Sequence, residues 1–398
     1  MGSPVSTLTF DDVNVTAPSP TVKSTATEPA PATPPSPGVG DQLTIRTGGK
    51  TLEGWLTSSV IRDIDAGPPS RFTISLTERF PNSDNSAVIV PGSACQVYLG
   101  SNIIITGYID NYLPTYDART HRVVIEGRSN TEDVVDSSYV GPPWGFSSGA
   151  SLKTTIAAIL SQQTPNVGLS FLAPDQPLPT GPAQAYQVTF GESVYSVIES
   201  LCRMCQLLLY DDENGNLVIN TVGTTRAGSS LVEGQNVEAA AVRVDWSQRF
   251  HNLYIGAAGQ IPGAAIANSI FGSAQVDQQI RTSRSKIVLM DHYPSPALVQ
   301  QRANWEMNRR IGRSLMTQVT VTGWRDGAGN LWKVNTVVGV QLPTLKINSD
   351  LIIAACEYDR DENGTRTVLT CMPGSALKPA PYIPVPAIGQ NLMQGDNQ

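Results

Sequence analysis

Two stretches of this chain share one pattern, and that pattern limits the possible folds more than any other feature. Cys95 to Arg128 reads as three strands in succession: CQVYL (95–99), IIITGYIDNYL (103–113) and HRVVIEGR (121–128). Gly-Ser-Asn links the first two, and a turn through Pro114, Asp117 and Ala118 links the last two. Apolar and polar positions alternate, and Gly, Pro, Asn and Asp bound the runs, which is the signature of an antiparallel meander. The arrangement returns near the far end as VGVQL (338–342), DLIIAACEYDRD (350–361) and TRTVLTCM (365–372). Few residues are identical between the two copies, so the echo is one of pattern: strand, short link, long strand, turn, strand. A duplicated β unit of this kind predicts two similar β domains.

A chain of 398 residues is too long for one core, so two to four domains are expected. With 34 glycines, 29 prolines and only 15% charged residues, the composition is that of a folded, turn-rich, β-heavy protein. A net charge of −7 without a basic cluster argues against tight binding of duplex nucleic acid. No apolar run approaches the ~20 residues that span a bilayer. No charged-then-apolar leader pattern opens the chain, so assembly in the cytosol is expected. Five scattered cysteines do not form a disulfide framework. Cys202 and Cys205 have the CxxC spacing but no second pair, and read as small apolar groups on a helix face rather than a zinc site. Cys356 and Cys371 would sit opposite each other if Asn363-Gly364 forms a two-residue turn. That geometry would admit a crosslink, whereas a reducing cytosol argues for free thiols.

Residues 1–40 are rich in Pro, Ala, Ser and Thr and cannot order themselves alone. This arm is expected either to dock on a neighbouring subunit or to serve as a linker. A first β domain is expected over 41–135. In it LTIRT (43–47) and KTLEGWL (50–56) flank Gly48-Gly49, a pair suited to a type I′ turn. The GGKT run at 48–51 is not a phosphate loop, because Thr44 stands where that loop needs its first glycine. SVIRDID (59–65) and RFTISLTERF (71–80) follow as strands.

An α+β domain is expected over 136–230. Ser151 caps a helix bearing Leu152, Ile156 and Ile159, and a second helix over 190–206 lines up Val194, Ile198, Leu201 and Cys205. Asn214-Gly215 joins LLLYDD (207–212) to NLVINTV (216–222). The second β domain is expected over 231–374, with an excursion and helix at 259–313. It holds strands at 242–248, 251–259, 316–324 and 331–342, then the second meander. Its helix has Ser295 as N-cap, Pro296 in the first turn and Val299, Ala303, Met307 and Ile311 as an apolar ridge. Arg302, Arg309, Arg310 and Arg313 leave the rest basic, either solvated or docked on an acidic partner. Pro-rich 375–398 reads as a second arm.

Sequence signs of catalysis are missing. His121, His251 and His292 have no metal-binding partner at helical spacing. Gly191-Glu192-Ser193 runs into Val-Tyr and not into a nucleophile elbow. Asp11-Asp12 lies in the arm and Asp211-Asp212-Glu213 lies beside a turn, so neither reads as an acid/base pair. Asp359, Asp361, Asn363 and Gly364 match the first half of a calcium loop, but Thr370 holds the place of the bidentate glutamate. A hairpin with Asp361 opposite Arg366 explains the same residues. No catalytic, cofactor or metal residue is therefore expected, and the chain is read as a non-enzyme.

Six stretches, in order, resemble the Mu-like phage baseplate hub family, whose fold is shared with the T-even phage hub and the hub half of type VI spike proteins. They are EGW (53–55), ITGYIDNYLPTYDARTHRVVIEGRSNTEDVVDSS (105–138), FGESVYSVIESL (190–201), DENGNLVI (212–219), RANWEMNRRIGRS (302–314) and VTGWRDGAGNLWKVNTVV (321–338). Trp55, Gly107, Trp305, Trp324, Trp332 and Asn335 are the positions that match its motifs, and both arms fall outside the match. The resemblance implies an α+β, mainly β fold: two similar tube-like β-barrel domains, an α+β domain inserted between them, and Pro-rich arms at both termini. It further implies a homotrimer whose six barrels form a ring, adapting a three-fold spike to a six-fold tail tube around a DNA channel. The implied partners are copies of the chain itself, the tail tube protein and the central spike protein, with tape measure and wedge proteins beyond them. DNA would pass without specific binding, no membrane would be involved, and the place would be the virion tail baseplate. Trp324, Trp332 and Asn335 are expected to brace the second barrel rather than bind a ligand. The alternative from another class is a secreted or virion-borne glycan-binding or glycan-hydrolysing β protein, which needs a cleft with clustered carboxylates or aromatics.

Overall fold

The computed structural model describes residues 42–76, 89–117, 121–179, 184–257, 270–290 and 296–381. The N-terminal arm, the Ser295 cap, His292 and residues 382–398 lie outside them. The fold is α+β and mainly β, with 46% strand and 17% helix among the described residues.

Thirteen strands form one sheet. From one end its order is Val237–Val244, Leu315–Thr322, Gly364–Met372, Ile347–Asp361, Thr57–Asp63, Arg71–Leu76, His121–Ser129, Asn102–Tyr116, Ala94–Leu99, Leu43–Thr47 and Lys50–Leu52. Val337–Leu342 also pairs with Ile347–Asp361, and Leu231–Val232 pairs with Val337–Leu342. Both meanders are present, and their long central strands, Asn102–Tyr116 and Ile347–Asp361, each have 15 residues. Each central strand is irregular against the strand that follows it, between Ile109 and Asn111 in the first and between Ile353 and Ala355 in the second, and the first also skips Ile104 against Ala94–Leu99. Such bulges bend a strand and raise its twist.

The two halves meet where Ser58–Asp63 pairs antiparallel with Ala355–Arg360. Among the described residues no ladder closes either half on itself. The reason lies in this pairing: the edge of Thr57–Asp63 is taken by the other half. Alternation explains why these segments are strands, since Phe72 and Ile74 point inward while Arg71 and Thr73 are exposed. One hydrophobic core runs under both halves, from Leu43, Ile105 and Ile125 to Val319, Ile353 and Leu369. Each such side chain contributes about 1.5–3 kcal/mol on burial.

A separate core lies under the helices Leu152–Gln163 and Val194–Met204. Ser151 and Ser193 cap them, accepting from the Thr154 and Ser196 N–H groups. Val194, Ile198 and Leu201 are fully buried, Cys205 only partly. The helix Pro296–Arg313 buries Val299, Ala303 and Met307 on Leu253 and Ile255 of a three-stranded sheet. Two strands of that sheet, Ile270–Val276 and Ser285–Met290, lie in the stretch read from sequence as an excursion and helix.

Three local expectations are corrected by the structure. The second hairpin turns at Glu362-Asn363, because Asp361 faces Gly364. Cys356 is consequently opposite Leu369, Cys371 is opposite Ile353, and both are free buried thiols. Arg366 faces Asp359 in the ladder yet still reaches the Asp361 carboxylate diagonally at 2.8 Å. The expected strand from Leu331 begins only at Val337, since Asn335 takes a φ of 60° and interrupts extended backbone. The Asn214-Gly215 turn belongs to a longer loop, because Asp211 faces Leu217 and the Asp212 carboxylate accepts from the Asn214 and Asn216 N–H groups at 2.9 Å.

Candidate functional site

The residues that match family motifs occupy two structural nodes and two pins. The first node is where Asn102–Tyr116 crosses His121–Ser129. A Cβ on Gly107 would stand 1.8 Å from the Arg128 carbonyl oxygen, and one on Gly127 would stand 2.2 Å from the Tyr108 carbonyl oxygen. Only glycine permits this approach. The crossing delivers Arg128 to three carboxylates: Asp110 at 2.7 Å, Asp136 at 2.8 Å and Glu132 at 3.2 Å. Asp110 is the unpaired residue of the bulge, and Glu132 and Asp136 lie on the short helix Glu132–Asp136. Burial, with the Asp110 carboxylate next, pushes Glu132 up to about 8. GYID and GRSNTEDVVD are thus the two sides of one charge cluster that fixes the first module to the start of the helical domain.

The second node is the loop between Leu315–Thr322 and Val337–Leu342. Asp326 organises its tip, accepting from the Ala328 and Asn330 N–H groups at 2.9 and 3.0 Å and from Gly228 N–H at 2.8 Å. Trp324 is fully buried and its indole N–H donates to the Asp359 carbonyl at 3.1 Å. Trp332 is also buried; its backbone N–H donates to the Trp324 carbonyl, and the Tyr358 hydroxyl donates to the Trp332 carbonyl. Asn335 looks the other way. Its side-chain oxygen accepts from Gly223 N–H at 2.7 Å, and its amide donates to the Thr221 carbonyl at 3.0 Å and reaches the Tyr210 hydroxyl at 3.4 Å. It therefore ties the second module to the last strand of the helical domain.

Trp55 and Trp305 are single pins. The Trp55 indole donates to the Leu43 carbonyl at 2.8 Å and closes the first hairpin. The Trp305 indole donates to the Lys378 carbonyl at 2.7 Å, so the start of the C-terminal arm lies on the helix. Arg302 and Arg309 stack on the Trp305 ring at 4.6 and 5.2 Å. The basic helix face is therefore neither simply solvated nor left for an acidic partner. Arg310 bonds Glu306 and the Gln248 carbonyl, and Arg313 bonds Asp65 of the first module.

Arg62 was not singled out in the sequence, and Asp211 was read there only as part of a carboxylate run beside a turn. Arg62 is buried beside the seam between the halves and donates to the Asp211 carbonyl at 2.6 Å and to Glu213 at 3.4 Å. The Asp211 carboxylate holds the Ser70 N–H and hydroxyl at 3.0 and 2.8 Å, while Lys333 of the second module reaches Glu213 at 3.4 Å. Three parts of the chain thus meet on one polar knot. An alternating strand hides its arginine among surface charges, so only the DENGN turn gave any hint of it.

A cleft of about 370 Å³ opens beside Tyr195, Arg203, Arg302 and Arg309. Its carboxylates Asp65 and Glu199 are held by Arg313 and by Arg203, the latter at 3.8 Å. Among the described residues no group of three His, Cys, Asp or Glu side chains gathers to hold a metal. His251 turns its Nδ1 toward the Ile280 carbonyl at 2.8 Å. Cys202 is buried and Cys205 half-buried, and burial raises both thiols. The arrangement is one of braces and edges.

The comparisons agree with this reading. Residues 42–129 match the Mu phage baseplate assembly protein GpP-like N-terminal family, 131–221 the baseplate hub protein gp44-like second domain, and 295–380 the fourth domain of Mu phage baseplate assembly protein GpP. Baseplate hub protein gp44 of Escherichia phage Mu is 24% identical over 371 residues, covering 90% of this chain and 94% of that protein. The 43 kDa tail protein of prophage MuSo2 from Shewanella oneidensis is 30% identical with a TM-score of 0.74, covering 86% of this chain and all of that one. A tail protein of Neisseria meningitidis MC58, at 17% identity and a TM-score of 0.71, shares the fold over 85% of this chain and 99% of its own length. Fold and braces together define a structural protein of phage tails. The chain belongs to the Mu-like phage baseplate hub family, and its place is the tail baseplate of the virion.

Proposed function

We propose that this hub subunit acts as a homotrimeric ring in which each chain supplies two tube-like β modules, so that three chains present six. The observation that carries this is the duplication: both meanders sit at the same place in a shared strand order, and the halves are joined edge to edge by backbone pairing. A chain with two equivalent modules is three-fold by subunit and six-fold by module, which suits an adaptor between a three-fold spike and a six-fold tube. The domain division that follows is 41–135 and 231–374 for the β modules and 136–230 between them. Support comes from the separate core under the helices and from the bounds of the family matches.

The partners in this reading are two further copies of the chain, the tail tube protein, the central spike protein, and the tape measure and wedge proteins. DNA crosses the ring without specific contact. The braces at Trp55, Gly107, Trp305, Trp324, Trp332 and Asn335 set the module geometry, and the role is non-catalytic. The carboxylates of the large cleft are each tied to an arginine, which weighs against a glycan-hydrolysing site there. Light scattering on the purified chain tests the ring: three times 42.5 kDa is expected, and a stable monomer at micromolar concentration overturns it.

A further inference from the structure

We infer that neighbouring chains in the ring join through a specific strand pairing, Ala240–Asp245 of one copy against Asn111–Tyr116 of the next. This rests on the ring reading above and adds the surface and the register.

The two modules correspond strand for strand. In the first, the order Thr57–Asp63, Arg71–Leu76, His121–Ser129, Asn102–Tyr116, Ala94–Leu99, Leu43–Thr47 runs across the sheet. In the second, Val237–Val244, Leu315–Thr322, Gly364–Met372, Ile347–Asp361, Val337–Leu342 and Leu231–Val232 take the same places in the same chain order, with one difference: Leu231–Val232 runs parallel to its neighbour where Leu43–Thr47 runs antiparallel. The bulges give the residue-level match. Gly127 and Glu126 face the bulge of one central strand, and Cys371 and Thr370 face that of the other. Carried through the ladders, Leu76 beside Val123 corresponds to Val321 beside Thr367, and Thr57 beside Ser75 corresponds to Ala239 beside Thr320.

Inside the chain the first module's Ser58–Asp63 pairs with the second module's Ala355–Arg360, from Ser58 opposite Arg360 to Asp63 opposite Ala355. The equivalents of these two edges are Ala240–Asp245 and Asn111–Tyr116. Among the described residues neither has a strand partner on that side. The second edge of the first module therefore stands open where the second module has its partner filled, and the outer edge of the second module stands open in turn. Two open edges that match the two sides of an existing seam make a head-to-tail contact, which closes into a ring when the rotation allows.

The side chains agree. Large apolar groups cluster at both edges: Leu113 and Tyr116 are 48% and 86% exposed, Val244 and Trp246 60% and 43%. An exposed edge bearing large apolar groups is a pairing hazard unless it has a partner. The internal register, transferred, places Ala240 opposite Tyr116, Arg243 opposite Leu113 and Val244 opposite Tyr112. Pro114 takes the place of Tyr358 and offers no N–H, so this seam has one ladder bond fewer than the internal one. That same proline guards the edge against indiscriminate pairing.

Paired cysteines test the register. Ala241→Cys with Thr115→Cys, and separately Arg243→Cys with Leu113→Cys, put thiols on directly opposed residues, whose Cβ atoms lie about 4.5–5.5 Å apart in such pairs. The native mass is measured before mild oxidation. A trimer that both double variants convert to covalent dimers and trimers, while each single variant and the offset pair Ala241→Cys with Leu113→Cys give at least tenfold less, supports the seam. A trimer that the opposed pairs do not crosslink overturns the seam and leaves the ring standing. A monomer overturns the ring and the seam with it.

Discussion

Asn335 offers the sharpest test of how the second module is held to the helical domain. It is 6% exposed at a φ of 60°, and it satisfies both the Gly223 N–H and the Thr221 carbonyl. Asn335→Ala removes both partners at once and leaves two interior polar groups unpaired, at about 1–3 kcal/mol each. A left-handed backbone conformation costs an ordinary L-residue a further ~1–2 kcal/mol, and asparagine tolerates it better than alanine. The expected loss is about 3–8 kcal/mol. Asn335→Gly loses the same hydrogen bonds without the backbone penalty, so it should be milder than alanine by about 1 kcal/mol. Asn335→Asp keeps the acceptor for Gly223 but sets an anion against the Thr221 carbonyl, and should fall near alanine. Urea unfolding followed by tryptophan fluorescence reads these differences, since Trp324 and Trp332 are buried in the same loop region. An Asn335→Ala variant within 0.5 kcal/mol of the parent would refute the brace, and a glycine variant as unstable as the alanine one would refute the backbone share.

Three further outcomes follow from the same structure. Gly107→Ala should abolish soluble protein, because its Cβ would lie 1.8 Å from a backbone oxygen in a paired strand; a soluble variant with an unchanged circular dichroism spectrum refutes this. Glu132 keeps its proton up to about 8 in the folded chain against a usual 4.5, so the folded state binds more protons than the unfolded between those values and stability falls as pH rises through that window. Glu132→Gln should remove this slope and gain on the parent between pH 5.5 and 8.5 in urea unfolding; parallel curves for the two proteins count against it. Trp324→Phe should cost about 1 kcal/mol or more beyond Trp332→Phe, since it also strands the Asp359 carbonyl, whereas the Trp332 indole N–H has no partner to lose among the described residues; equal losses by calorimetry would contradict that.

Much of the local structure was legible in the sequence because local signals report local chemistry. Gly48 and Gly49 both have positive φ and close the first hairpin as their identities require. Ser151 and Ser193 cap their helices, and the Val299, Ala303, Met307 ridge is buried as its spacing predicts. The motif tryptophans were legible as positions but their hydrogen-bond partners were not, since neither Asp359 nor Lys378 is near its tryptophan in sequence. Where the sequence misled, one residue of register decided the matter. Asn-Gly is the strongest short hairpin signal, yet in the second meander the bulge and the long ladder set the turn one position earlier and moved Cys356 away from Cys371.

The sequence by itself determined that the chain is mainly β, that it holds the same meander twice, and that it carries the family's spaced glycine and tryptophan positions. Periodicity and turn chemistry act over a few residues, so they survive in the sequence. The tertiary structure alone decided that the two halves share one sheet, with Ser59 opposite Asp359 in the ladder that joins them. It also decided that Arg62 and Asp211 knot three parts together, and which strand edges are left open among the described residues. Those outcomes depend on backbone pairing, which any side chain can accompany, and on contacts between residues hundreds of positions apart, which leave no periodic mark.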